Sequence, residues 1–110
     1  MTHKQILDDL RQPVKDLHEH IPAVFEGYRA LSSAALADGA LDAKTKELIA
    51  LAIAVTRQCD GCMASHARGA ARRGATAAEV ADALGVAILL NGASGTVHAP
   101  RAFELQEFAQ

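Results

Sequence analysis

Apolar residues recur at separations of three and four along most of the chain, the spacing of one helical face. The rhythm fails at residues 48–55, L-I-A-L-A-I-A-V, where eight apolar residues follow one another. Before that run, Ile6, Leu7, Leu10, Val14 and Leu17 describe an amphipathic helix over residues 3–20. Pro13 removes a backbone donor from it, which predicts a kink or break near Arg11 and Gln12. A second helix opens at Pro22 and carries a stripe of Val24, Phe25, Tyr28, Leu31 and Leu36. Asp38-Gly39 reads as its stop, with Gly39 in the left-handed conformation.

Asp42 is placed to cap a third helix, which holds the apolar run. No polar face interrupts that run for two turns, so it needs cover nearly all round. An alanine-rich chain of this size has little to cover it with, and an obligate homo-oligomer is expected. Thr56-Arg57-Gln58 ends the run, and Asp60-Gly61 reads as the cap of a fourth helix that stops at Gly74. Thr76 and Glu79 fit a capping box ahead of a fifth helix, with Val80, Leu84, Ile88 and Leu89 as core. After a break at residues 91–95, Val97, Phe103, Leu105 and Phe108 suggest a last helix, with Pro100 in its first turn or at a kink. The expected fold is all-α, one bundle of about six helices over residues 1–110.

Composition supports this picture. The chain has 110 residues, the size of one domain. Half are apolar but only four are aromatic, and β-branched residues are too sparse for a sheet. A net charge of −2 with no basic stripe argues against nucleic acid as a partner. Eight apolar residues fall far short of the roughly 20 that span a bilayer, so no membrane role is expected. Residues 1–10 are largely polar and do not resemble a secretory signal, which points to the cytoplasm.

The candidate chemistry lies where the apolar run ends. Cys59, Cys62 and His66 follow one another at separations of three and four, so they share a helical face. A C-x-x-C pair in a reducing compartment is more often redox-active or metal-binding than a structural staple. A thiol reacts as its thiolate, and a helix start supplies N–H groups and a dipole that stabilise that anion. His66, one turn beyond Cys62, can take the thiol proton. If the chain reverses near Arg57, Glu47 lies level with His66 and can orient its ring.

Each residue also has a plainer reading. The cysteines could be small core residues, His66 a surface histidine, and Glu47 favourable charge in a first helical turn. Zinc is the chemical rival, held by Cys59, Cys62 and His66 with Glu47 or His98 as fourth ligand. No second close-spaced ligand pair follows, as a zinc finger or ribbon would have. His98 otherwise reads as a surface residue, and His18 and His20, two apart, as solvated.

E-L-I-A-L-A-I-A-V followed by C-D-G-C-M-A-S-H resembles the core of the carboxymuconolactone decarboxylase family, on its alkylhydroperoxidase D-like branch. The shared pattern is Glu47, twelve residues to Cys59, three to Cys62 and four to His66, and the likeness covers about residues 42–90. The resemblance implies an all-helical fold in trimers or hexamers, without a cofactor. It also implies a thiol peroxidase or disulfide reductase: Cys62 the peroxidatic thiolate, Cys59 the resolving thiol, His66 and Glu47 the proton relay. A hydroperoxide or disulfide would be substrate and a dithiol the reductant, such as a lipoyl-bearing protein. The branch's peroxidase carries a histidine just before its second cysteine, where this chain has Gly61. The decarboxylase branch, with lactone acid chemistry, and a non-enzymatic redox-sensing or zinc-binding scaffold are the alternatives.

Overall fold

Four side chains mark where helices begin. Thr2, Asp42, Cys59 and Thr76 each accept a hydrogen bond from a backbone N–H in the turn that follows them. Each satisfies a donor that a helix start leaves without a partner. A computed structural model describes residues 2–105 as six helices in chain order: α1 His3–His20, α2 Pro22–Leu36, α3 Ala43–Arg57, α4 Asp60–Arg72, α5 Ala77–Asn91 and α6 Ala93–Leu105. No strand occurs among the described residues. All six lie close to the positions that the apolar periodicity gives, and the fold is all-α.

The core sits where α3, α4, α5 and α6 meet, with the first half of α1 laid across α4. Leu51, Val55, Met63, Val80 and Leu105 are its largest fully buried side chains, each contributing about 1.5–3 kcal/mol by leaving water. Between them lie Ala54, Ala64, Ala67, Ala70, Ala87, Ala99 and Ala102, all buried. Small residues at these contacts let the helix backbones approach closely. At Gly95 a Cβ would come within 2.8 Å of Ile88 Cα, so only glycine permits that approach of α6 to α5. His3, buried at the head of α1, donates from Nδ1 to Leu105 O at 3.0 Å and ties the two ends of the fold together.

Several expectations fail for identifiable reasons. Pro13 does not break α1: residues 11–20 are exposed, so water can reach the Asp9 carbonyl whose partner the proline removes. Gly39 does not take a left-handed conformation, because α2 ends earlier, at Ala37 in extended geometry. Asp38 instead accepts from Ala43 N at 2.7 Å. The stripe on α2 is not core, since no residue of that helix is buried and Val24, Tyr28 and Leu31 stay exposed. His18 is exposed but lies against the Phe25 ring, with centroids 5.2 Å apart.

On α5, Leu89 is not core but 78% exposed, being one residue past the Leu84–Ile88 face. The break at residues 91–95 is a single elbow at Gly92, φ +64, and α6 restarts at Ala93. Pro100 consequently lies inside α6 and not in its first turn, while Leu105 is buried and Val97 exposed. Phe108 lies outside the described residues. The apolar run is covered on one side only: Leu51, Ala54 and Val55 are buried, but Ile49 and Ile53 remain 45% and 57% exposed.

The α3 and α5 starts are joined by charge. Lys44 Nζ lies 2.8 Å from Glu79 Oε2, and Asp42 accepts from Thr45 N at 2.8 Å. The Lys44 bond holds the Glu79 carboxyl below its ordinary 4.5, and the Thr45 bond holds Asp42 below 3.8. Groups depressed in this way stabilise the fold above their ordinary values and lose that effect as pH falls through the folded ones. Glu79→Gln is therefore expected to lower the melting temperature at neutral pH, with the gap from wild type closing below pH 4.5. A gap that persists unchanged in acid would show that charge is not its source.

Candidate active site

The site is built on the hairpin of α3 and α4. Gln58 adopts φ 53, the left-handed region, and its N–H donates back to the end of α3. A non-glycine residue there needs support. Gln58 Nε2 donates to Ser94 Oγ at 3.1 Å, and Asn91 Nδ2 to Thr56 Oγ1 at 2.9 Å, so the elbow between α5 and α6 clamps the turn. The chain thus reverses where Thr56-Arg57-Gln58 predicts, and α3 and α4 pack side by side.

That reversal brings Glu47 to His66. His66 Nδ1–H donates to Glu47 Oε2 at 2.8 Å, with the two side chains 23% and 11% exposed. The bond fixes the ring and, in the neutral tautomer, leaves Nε2 as the nitrogen able to accept a proton. Gly69, one turn after His66, makes room for it. A Cβ at Gly69 would clash with every atom of the Glu47 carboxyl group.

Cys59 and Cys62 form a disulfide, their Cα atoms 5.2 Å apart. Cys59, and not Asp60 as the sequence suggests, is the N-cap of α4: its Sγ accepts from Cys62 N–H at 3.2 Å. Sulfur replaces the usual cap oxygen, which places the helix's positive end against Cys59. Cys59 is half-buried, whereas Cys62 is exposed. Asp60, the first helical residue, accepts from Arg101 Nη2 of α6 at 3.0 Å, so a third segment holds the corner.

Gly61 faces α1. A Cβ there would stand 3.0 Å from Leu10 Cδ1, so a larger side chain between the cysteines would require the Leu10 side chain to shift. His98, on α6, takes no part in the bonds of the site. No group of three His, Cys, Asp or Glu is arranged to hold a metal ion among the described residues. Gly69 and Arg101 are the members that sequence reasoning missed. Gly69 had a signal, since a glycine inside an alanine-rich helix costs about 1 kcal/mol and implies a need for space. Arg101, 41 residues from Asp60, had none.

Fold and site together define a helical domain that presents a C-x-x-C disulfide beside a Glu–His pair. Known proteins share this fold. The Carboxymuconolactone decarboxylase family profile matches residues 22–105. A crystal structure of a carboxymuconolactone decarboxylase family protein from Legionella pneumophila, in its apo form, superposes with a TM-score of 0.89 at 36% identity, covering 94% of this chain and 92% of that one. A protein of Paracoccus denitrificans, named uncharacterized protein 4 in cox locus, is 40% identical over 80 residues, 73% of this chain and 72% of its own. An uncharacterized protein of Cupriavidus necator is 34% identical over 99 residues, 90% and 88% of the two chains. The chain belongs to the carboxymuconolactone decarboxylase family. None of its described helices is long and apolar enough to cross a membrane.

Proposed function

We propose that this chain is a thiol-dependent oxidoreductase, a peroxidase or disulfide reductase of the alkylhydroperoxidase D-like type. The observation that carries the reading is the asymmetry of the cysteine pair: an exposed Cys62 bonded to a half-buried Cys59 that caps a helix. An incoming thiolate reaches Cys62 more easily. When it forms a bond to Cys62 Sγ, the disulfide breaks and Cys59 leaves as a thiolate, stabilised by the Cys62 N–H and the helix dipole. The donor's second thiol then displaces Cys62, and a dithiol leaves as a disulfide.

In the oxidative half, Cys62 passes its thiol proton to Nε2 of His66, and the resulting thiolate bonds to the terminal oxygen of a hydroperoxide. The O–O bond breaks, and the alkoxide takes a proton from His66, which Glu47 orients. The sulfenic acid on Cys62 condenses with the Cys59 thiol, releasing water and restoring the disulfide. The net reaction turns a dithiol and a hydroperoxide into a disulfide, an alcohol and water.

We also propose that the chain works as a homo-oligomer, a trimer or hexamer, in the cytoplasm. Support comes from a groove of about 620 Å³ between α3 and α5, lined by Leu48, Ile49, Ile53, Val86 and Leu90, with Leu90 80% exposed. The catalytic reading is tested by turnover of an organic hydroperoxide with a dithiol, before and after alkylation of both reduced cysteines. Alkylation is expected to abolish turnover. Equal rates would sink the proposal, and activity on a lactone acid that survives alkylation would favour the decarboxylase alternative.

A further inference from the structure

Where α1 crosses α4, a small cup of about 170 Å³ is lined by His3, Lys4, Leu7, Asp8, Arg11 and Arg68. Its charge is lopsided. Three cations face one carboxylate, and that carboxylate is already engaged, with Arg11 Nη2 donating to Asp8 Oδ1 at 2.7 Å. Lys4 and Arg68 make no side-chain hydrogen bond or ion pair among the described residues. The ring of His3, anchored to Leu105 O, forms a fixed part of the wall. Two unneutralised cations beside a preformed recess suit a small anionic group.

The cup is connected to the dithiol. Cys62, Ser65 and Arg68 are all exposed and follow one another at intervals of three on α4, so they form a continuous diagonal strip on the helix surface. From Cys62 to Arg68 the helix rises about 9 Å. Side chains on a helix lean toward its N-terminus, which carries the Arg68 guanidinium back toward Cys62. On the neighbouring face, His66 and Gly69, four and seven residues beyond Cys62, turn toward Glu47. The proton-handling face and the charged strip thus flank the same sulfur.

We propose that this cup binds the anionic group of a disulfide or hydroperoxide whose reacting bond lies at Cys62, so that the substrate class is an acid. The inference rests on the thiol reading above and names the substrate of that site. Neutral substrates of the same reactivity lack the second anchor and are handled more slowly relative to charged ones. Neither Lys4 nor Arg68 takes part in the sulfur chemistry itself.

The test compares two chromogenic disulfides with the reduced full-length protein: dianionic dithiobis(nitrobenzoate) and neutral dithiodipyridine. The quantity read is the ratio of the two rate constants. Arg68→Gln and Lys4→Gln are each expected to lower that ratio about fivefold, the size of one exposed charge pair. Arg72→Gln, an equal change of charge on α4 outside the cup, is expected to leave it as in wild type. A ratio unchanged in Arg68→Gln and Lys4→Gln overturns the cup alone, and so does an equal fall in all three variants, which would mean diffuse attraction. Wild-type protein inert to both reagents would overturn the dithiol reading and this inference with it.

Discussion

Cys62→Ser is expected to abolish both hydroperoxide and disulfide turnover, a loss on the order of a thousandfold or more. Cys59→Ser should instead react once and stop. The difference follows from where each sulfur lies. Cys62 is exposed and Cys59 is half-buried and caps α4, so in the proposed cycle Cys62 meets the substrate and Cys59 resolves what forms on it. With serine at 59, the hydroxyl still caps the helix, so the fold is kept and only the resolving step is lost. Mass spectrometry after one equivalent of hydroperoxide should therefore find an oxidised Cys62 in Cys59→Ser and no cysteine oxide in Cys62→Ser. Multiple turnovers by Cys62→Ser, with Cys59→Ser inert from the start, would reverse the roles assigned to the two thiols.

Gly69→Ala is expected to harm both stability and rate. In an ordinary helical site alanine is better than glycine by about 1 kcal/mol. Here its methyl group occupies the place of the Glu47 carboxyl, and the overpacking should cost about 1–3 kcal/mol instead. Displaced from Gly69, the carboxylate loses its bond to His66, and turnover is expected to fall on the order of a hundredfold. Adding Glu47→Ala to Gly69→Ala removes the clash and should recover stability without recovering rate. Urea unfolding and hydroperoxide turnover measure the two effects separately. A Gly69→Ala protein more stable than wild type would mean that Glu47 does not lie against α4.

Much of the architecture was legible because helix signals are local. Asp42 and Thr76 cap helices through contacts three residues away, and Gly74 ends α4 with φ +80. The Glu47–His66 pair was legible too, since a single reversal near Arg57 fixes which residues of α3 and α4 stand level. What the pattern could not supply was cover. Leu89, Val97 and the α2 stripe of Val24, Tyr28 and Leu31 are apolar at helical spacing, yet exposed in the single chain. Periodicity identifies an apolar face but not what lies against it. Arg101 and Leu10 were hidden for a related reason: each meets the C-x-x-C turn only through tertiary packing.

The bonds that fix the hairpin lie outside the sulfurs. Gln58 to Ser94, Asn91 to Thr56 and Arg101 to Asp60 hold the approach to α4 and its first residue from α5 and α6, and the α4 helix itself sets the 5.2 Å separation of the cysteine Cα atoms. Opening the disulfide therefore releases two side chains and leaves the backbone where it was. Oxidised and reduced protein should share one fold, with little reorganisation between them, so electrons can pass through the domain without the shape changes on which a conformational sensor depends.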